Sequence, residues 1–563
     1  MGNFFLALLT FIGLSTGILG GITAYAQDKL IDIMKGELTR NFEAFKKQPG
    51  APYFISYRID EVKTYNIKTS FDNLILSDVE NKRFLTVMVR TGSRELDNFH
   101  ELRDDNSGWM EGWSDGVEFP LDNQAEGIKQ ILWSATDDGY RKATDRLAKV
   151  QANVAVKVET EDKSFDFSEE KAEVNIEPLL KDDETKFDKS AWEEKLKKYS
   201  AVFLTNPDIY KGESVIRFVV ERKYYVSTEG SSIAENRVYA WLHISGNIQA
   251  DDGMDLPLYE TYFANKPSDL PNDEMILKDI KEMVEKLGKL KVAPVVDAFT
   301  GPALLSSKSA GVFFHEIFGH RVEGHRMKKE SDAQTFKKKI GENVLPADFT
   351  VFFDPSIKQY KGFDLYGSYT FDDEGIKGKK VSIVNKGVLN GFLMSRCPIE
   401  KFSNSNGHGR AAHGKQPVTR QSNLIIETSQ PNKMEDLKKM LREEAKKQGK
   451  EYGYLFANVT GGFTMTGRFI PNAFNVMPTE VYRIYVDGRP DELVRGVDLV
   501  GTPLAMFSQI AAAGDSYNVF TGTCGAESGG IPTTCVSPSV FVKQIETQRK
   551  NKKQDRPAIL KRP

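Results

Sequence analysis

The sequence predicts an α+β fold in two halves meeting near residue 293. An N-terminal domain of antiparallel sheet with helices spans residues 27–293, and a sheet-rich C-terminal domain carrying a histidine-bearing helix spans 294–542. Three observations predict this. Before residue 293, the runs Tyr53–Ile59, Phe84–Arg90 and Val215–Val226 are rich in β-branched and aromatic residues and read as strands among helical stretches. Asp273–Leu290 is a strongly charged amphipathic helix, closed by Val292-Ala293-Pro294. After Pro294 the texture changes: Gly, Pro and β-branched residues dominate as far as Val542, interrupted by one helix at Met434–Gln448.

Composition narrows the class. At about 150 residues per domain, a chain of 563 residues has a prior of about three to four domains. Lys plus Arg number 76 against 79 Asp plus Glu, a balance that gives no reason to expect nucleic acid as a partner. Three cysteines exclude a disulfide-built scaffold. Phe4–Ile22 is almost wholly apolar or small and is followed by Ala24-Tyr25-Ala26, a small-x-small cleavage pattern. A signal peptide over 1–26 is expected, with a mature chain starting at Gln27 and a periplasmic or extracellular location. The stretch before the apolar run has no Lys or Arg, and an uncleaved anchor is the alternative.

The elements follow in order. From Asp28, Ile31, Met34, Leu38, Phe42 and Phe45 fall on one helical face, which Pro49-Gly50 ends. Gly139–Val156 reads as a helix through Tyr140, Ala143, Leu147 and Val150. Residues 159–198 hold 14 Asp or Glu against eight Lys, which reads as a solvated insertion or a surface helical flap. Residues 543–563 hold eight basic and two acidic side chains and read as a frayed basic tail.

Five of the seven histidines lie between 315 and 413, and the sharpest feature is His315-Glu316-Ile317-Phe318-Gly319-His320. It follows Ser306–Phe314, a Ser-led stretch that becomes apolar and predicts a buried helix. Histidines four apart share a metal from one helix face. Five apart, they stand about 140° around an ideal helix, too far for that. Either the two are hydrogen-bonded core residues, or the helix breaks at Gly319 and swings His320 back.

Read onward, Ala310-Gly311-Val312-Phe313-Phe314-His315-Glu316-Ile317-Phe318-Gly319-His320-Arg321-Val322-Glu323-Gly324 resembles the TldD/PmbA family of metalloproteases. The resemblance continues through Tyr366-Gly367-Ser368-Tyr369, Asp372-Asp373-Glu374-Gly375, Ser405-Asn406-Gly407-His408-Gly409-Arg410 and Arg495-Gly496-Val497-Asp498-Leu499-Val500-Gly501-Thr502-Pro503-Leu504. It ends with Gly522-Thr523-Cys524-Gly525-Ala526-Glu527-Ser528-Gly529. Before residue 294 it is looser, resting on Tyr57–Ile59, Val89-Arg90-Thr91-Gly92, Leu96-Asp97-Asn98 and Ala250–Met254.

That family uses an HExxxH helix with a distant cysteine, so the resemblance implies His315, His320 and Cys524 as metal ligands and Glu316 as the catalytic residue. Two imidazoles and a thiolate suit zinc, one ion per active subunit, and leave a fourth position for water whose pKa falls towards about 7. Glu316 would act as general base, and the reaction implied is hydrolysis of peptide bonds in short or unfolded peptides, bound extended against a sheet edge. The family forms dimers of like subunits or of an active and a silent one. A homodimer is expected here, with a heterodimer with a silent paralogue as the other arrangement. The competing reading is a catalytically silent peptide-binding or assembly subunit.

Gly522, Gly525, Gly529 and Gly530 are expected to form a loop that brings Cys524 close to a metal. Cys535, in a β-branched run, reads as a small buried hydrophobe, and a Cys397–Cys535 disulfide is left open. His325 reads as lying outside the metal sphere, and His408 as a loop histidine satisfied by hydrogen bonds.

Overall fold

A computed structural model of the chain describes residues 28–102, 116–155, 162–468 and 473–550. The expected signal segment and the last part of the expected tail lie outside these residues.

Two sheets organise the molecule, and the α+β expectation holds. The first has seven strands, in the order Val117–Glu118, Asn73–Thr91, Pro52–Ser70, Ile209–Ser227 and Ser232–Gln249. The far edge of Ser232–Gln249 is shared by Asp255–Ala264, antiparallel, and Val174–Ile176, parallel. Pro52–Ser70 and Asn73–Thr91 are 19 residues each, far longer than the apolar runs inside them. Their outer halves mix charged, polar and apolar side chains, a composition that pairing holds as strand although it reads as polar sequence.

Side chains of alternate residues point to opposite faces of a strand. One face of this sheet carries Ile55, Tyr57, Ile59 and Ile67, buried under the helices Lys29–Phe45, Ala125–Ala155, Lys189–Ala201 and Asp273–Val292. The last helix is capped by Asn272, which accepts from the Met275 amide at 2.9 Å, and buries Ile276, Ile280, Met283, Val284, Leu287 and Leu290 at three- and four-residue steps. The opposite face turns to the C-terminal domain. There Arg58 donates to the carbonyls of Ala412 (3.0 Å) and Lys415 (2.9 Å), and Tyr259 donates to Val459 O at 2.8 Å.

Of the expected insertion, the described residues 162–198 include the start of the helix Lys189–Ala201 and are solvated only in part. From 162 on, the segment is anchored by Phe167, Trp192 and Leu196, all buried, and Asp166 pairs with His100 (2.9 Å) and Lys328 (3.0 Å). The apolar anchors are few and dispersed, so net charge alone misrepresented it.

The second sheet has eleven strands and depends on the last of them, Gly529–Arg549. Along one edge this strand pairs in parallel with Asn423–Ile425 and then antiparallel with Phe299–Leu305, while its other edge holds Ile510–Ala526 and then Val497–Val500, both antiparallel. Phe299–Leu305 continues to Tyr452–Thr464, that strand to Phe474–Tyr485, and that one to Val497–Gly501, which returns to Gly529–Arg549. The ladder therefore closes on itself, and the apolar helix Ser307–Ile317 packs against it in the largest core. The expected basic tail is corrected accordingly: residues 543–549 are core strand, with Ile545 fully buried. Its basic side chains alternate with inward residues, and composition alone cannot show that alternation.

A chain truncated after Val542 should be destabilised by about 3 kcal/mol or more, from the loss of buried Ile545 and its ladder hydrogen bonds. Thermal unfolding checks this, and an unchanged melting temperature would restore the tail reading.

Candidate metal centre

The site begins with a helix that stops on time. Ser306 caps Ser307–Ile317, accepting from the Ser309 amide at 3.3 Å and donating to Ala457 O at 2.7 Å. The helix ends at Phe318 (φ −123°, ψ −53°), and Gly319–Arg321 form a single tight turn. The break brings the two imidazoles to 4.9 Å between centroids, nearly perpendicular at 83°. Glycine at 319 serves a purpose other than unusual backbone angles. A Cβ there would stand 2.0 Å from Gln421 Oε1, so the glycine makes room for a buried side chain.

His315 Nε2 lies 3.2 Å and His320 Nε2 3.3 Å from Cys524 Sγ, and the three donor atoms lie within 4.8 Å of one another. Behind His320, its Nδ1 meets the Glu323 carboxylate at 3.3 Å. A carboxylate only accepts, so Nδ1 carries the proton and Nε2 presents its lone pair to the group. Glu323 is fully buried, bound by Arg326 Nε at 2.8 Å and faced by Arg420 Nε at 3.7 Å. Burial opposes its charge, but His320 and Arg326 pull its pKa down to about 2. Arg420 in turn holds the Cys524 carbonyl at 2.6 Å and its sulfur at 3.2 Å. Burial alone would raise the Cys524 thiol, yet His320 and His315 draw it well below its ordinary range.

Cys524 lies on a hairpin strand, where a loop was expected: Ile510–Ala526 turns through Glu527–Ser528 into Gly529–Arg549, with Cys524 opposite Ile531. At the tip, Glu527 accepts from His325 at 2.7 Å and binds Arg326 at 3.0 Å. His325 therefore lies outside the donor group, as does His408, which bonds Asn406 Oδ1 and Ser422 Oγ, each at 3.0 Å. Cys397 and Cys535 are unpaired thiols, so the disulfide left open does not form, and Cys535 lies buried beneath Gly311 of the helix.

The group opens into a cavity of about 530 Å³ between the two sheets, lined by His315, Glu316, His320 and Cys524 on one side and Trp241, His243 and Tyr259 on the other. Glu316 is buried, which raises its pKa above the ordinary carboxylate value while the neighbouring imidazoles oppose the shift. Its stem lies against Gly462, where a Cβ would come within 2.7 Å of Glu316 Cγ. Sequence reasoning assigned no role to Glu323, Arg326, Arg420, Gln421, Trp241 or His243. Arg420-Gln421-Ser422-Asn423 reads as a polar loop, although all four are fully buried.

The donor set fits zinc. Tetrahedral bonds of about 2.3 Å to sulfur and about 2.0 Å to nitrogen place ligand atoms about 3.5 Å apart, close to the separations found here. Fold and site together define an α+β protein with a His-His-Cys group, able to hold a metal ion, between its two sheets. Residues 300–549 match the PmbA/TldA metallopeptidase C-terminal domain, so over this part the chain is similar to the TldD/PmbA family.

A metalloprotease of Methanothermobacter thermautotrophicus is 28% identical over 333 residues, 57% of this chain and 65% of that protein. A zinc metalloprotease TldD homolog of Saccharolobus solfataricus is 22% identical over 245 residues, 44% of this chain and 51% of that protein. Across the first three curated relatives, the matches span 46–65% of the relative's length. The crystal structure of TldE from Thermococcus kodakarensis shares the fold with a TM-score of 0.61 at 12% identity, covering 92% of this chain and 100% of that one.

Cys524→Ser should lower zinc occupancy and activity together, while Cys397→Ser and Cys535→Ser keep occupancy near wild type. Metal analysis of the three purified variants decides, and full zinc in Cys524→Ser removes that residue from the ligand set.

Proposed function

We propose that the protein is a zinc-dependent peptidase that hydrolyses peptide bonds in short or unfolded peptides. One observation carries the reading: two imidazoles and a thiol converge in a cavity whose wall also holds the Glu316 carboxyl. The metalloprotease names of the relatives support it. His315, His320 and Cys524 would hold the ion, which supplies Lewis-acid activation of water near neutral pH. Glu316, with its raised pKa, accepts the proton from water and passes it to the leaving amine.

Two strand edges border the cavity. Among the described residues, Tyr452–Thr464 pairs with Phe299–Leu305 only at Tyr454–Phe456, and Ile510–Ala526 pairs with Gly529–Arg549 and, beyond that, only through a bridge from Gly514 to Asn432. Their unpaired stretches offer main-chain groups to an extended peptide, which would hold it with little demand on its side chains.

Glu316→Gln keeps the shape of the side chain and removes the base. Metal should stay bound while hydrolysis of an unfolded peptide falls by about 10²-fold or more. Equal turnover in the two proteins would sink the mechanism.

Export and self-association complete the proposal. The apolar run Phe4–Ile22 supports the first. The second is supported by the hairpin tip, where Leu74, Ile75, Leu76 and Val79 are exposed at 41%, 58%, 38% and 43%. The mature protein should begin at Gln27 and have the mass of a homodimer in solution. Retention of Met1 defeats export, and the mass of a single chain defeats the dimer.

A further inference from the structure

Alternate residues of the strand Ser232–Gln249 face opposite ways. Leu242 and Ile244 are fully buried in the core under the helix Asp273–Val292, which leaves Trp241 and His243 to the other face, in the cavity wall. Tyr259 joins them from the neighbouring strand Asp255–Ala264, where Tyr259 lies opposite Ser245 and Thr261 opposite His243. The three rings form a row. Trp241 and His243 stack with centroids 5.1 Å apart and planes 2° from parallel, and His243 and Tyr259 stand 5.3 Å apart at 32°. All three are half-buried, so part of each ring stays open to the cavity.

The row presents π surface rather than polar atoms. Tyr259 spends its hydroxyl on Val459 O at 2.8 Å, and His243 Nδ1 meets Thr261 Oγ1 at 3.1 Å. Burial lowers the His243 pKa to about 4, so that ring is uncharged at neutral pH. Facing the row, Gly525 beside Cys524 leaves open space, since a Cβ there would meet no atom within 4 Å.

A charged side chain finds no free countercharge in the same space. Apart from histidines, Glu316 and Arg326 are the only charged side chains among the described residues lining this cavity. Glu316 is assigned to proton transfer, and Arg326 is bound by Glu323 at 2.8 Å and Glu527 at 3.0 Å. A buried charge without a partner is costly, whereas a flat apolar ring gains both burial and stacking.

We infer that the row Trp241, His243 and Tyr259 is a side-chain subsite that selects substrates carrying Phe, Tyr or Trp next to the bond that is cut. This rests on the peptidase reading above and adds a substrate class to it. Main-chain pairing leaves most side chains of the peptide free, and the ring row is the exception. Aliphatic side chains bury comparable apolar area but lack the ring-on-ring contact, which is worth a factor of about 2 to 10 in binding.

The test uses the zinc-loaded full protein and unstructured peptides of one Gly- and Ser-rich sequence that differ at a single position, occupied by Phe, Tyr, Leu, Ala, Lys or Glu. Cut sites are mapped by mass spectrometry, with Glu316→Gln as control. The Phe and Tyr peptides should be cut beside that residue, with kcat/KM about 3-fold or more above Leu and about 10-fold or more above Ala, Lys and Glu. Anisotropy of the same peptides, labelled and bound to Glu316→Gln, should give the same order without turnover. Trp241→Leu keeps an apolar side chain in the row and removes its π surface, and His243→Gln removes the middle ring. In either variant the preference for Phe over Leu should shrink to within about 2-fold, with zinc content and melting temperature near wild type. Equal cleavage of the Phe, Leu and Lys peptides would overturn the subsite and leave the peptidase reading standing. A preference for Phe that survives unchanged in both variants would also overturn it. No cleavage of any peptide, or cleavage equal in Glu316→Gln, would overturn the peptidase reading and this inference with it.

Discussion

The centre depends on one carboxylate. Glu323 is fully buried, so its charge must be compensated by direct partners, and His320, Arg326 and Arg420 are those partners. Through His320 it orients one metal donor, and through Arg420 it reaches the backbone and sulfur of another, Cys524. Arg326 carries the link on to Glu527 at the hairpin tip, where His325 joins from the same turn. Deleting one member of such a group strands a buried charge at a cost of about 3–5 kcal/mol, so ligand geometry and fold are secured by the same contacts.

The domains divide the labour by face. The N-terminal sheet spends one side on its helices and leaves the other as a floor of polar and aromatic side chains. The C-terminal domain spends its core on enclosing the helix Ser307–Ile317 and projects the end of that helix, with the hairpin carrying Cys524, over the floor. Contacts such as Arg58 to Ala412 and Lys415, or Tyr259 to Val459, fix the spacing between floor and roof. The N-terminal domain thus supplies half of the cavity without supplying any of its three donors.

Much of this was legible in the sequence, for identifiable reasons. Helices with clean apolar stripes, such as those beginning at Lys29, Asp273 and Met434, follow their periodicity because burial of the stripe holds them. His315, Glu316, His320 and Cys524 stood out by residue type and motif, and the structure brings them to one cavity. Their support did not stand out. Glu323 and Arg420 look like surface residues until their mutual pairing is known, and pairing across about 100 residues leaves no local pattern. The break after Ile317 was foreseen as a property of Gly319 backbone freedom, yet what the structure shows at Gly319 is steric, the space that Gln421 occupies. Residues 543–549 were misread, and the anchors within 162–198 missed, because charge counts average over a strand or helix whose buried residues are in the minority.

The closure of the second sheet has a consequence for the order in which the molecule is made. Phe299–Leu305 leaves the ribosome more than 200 residues before its partner Gly529–Arg549, and the two histidines precede Cys524 by a similar margin. The N-terminal domain, with its own core, can fold during synthesis. The ring cannot, because its last member is the last strand made, and so non-local a pairing is intrinsically slow. The His-His-Cys group and the ring are therefore completed in the same final event, and a nascent chain carries both histidines well before Cys524 can join them.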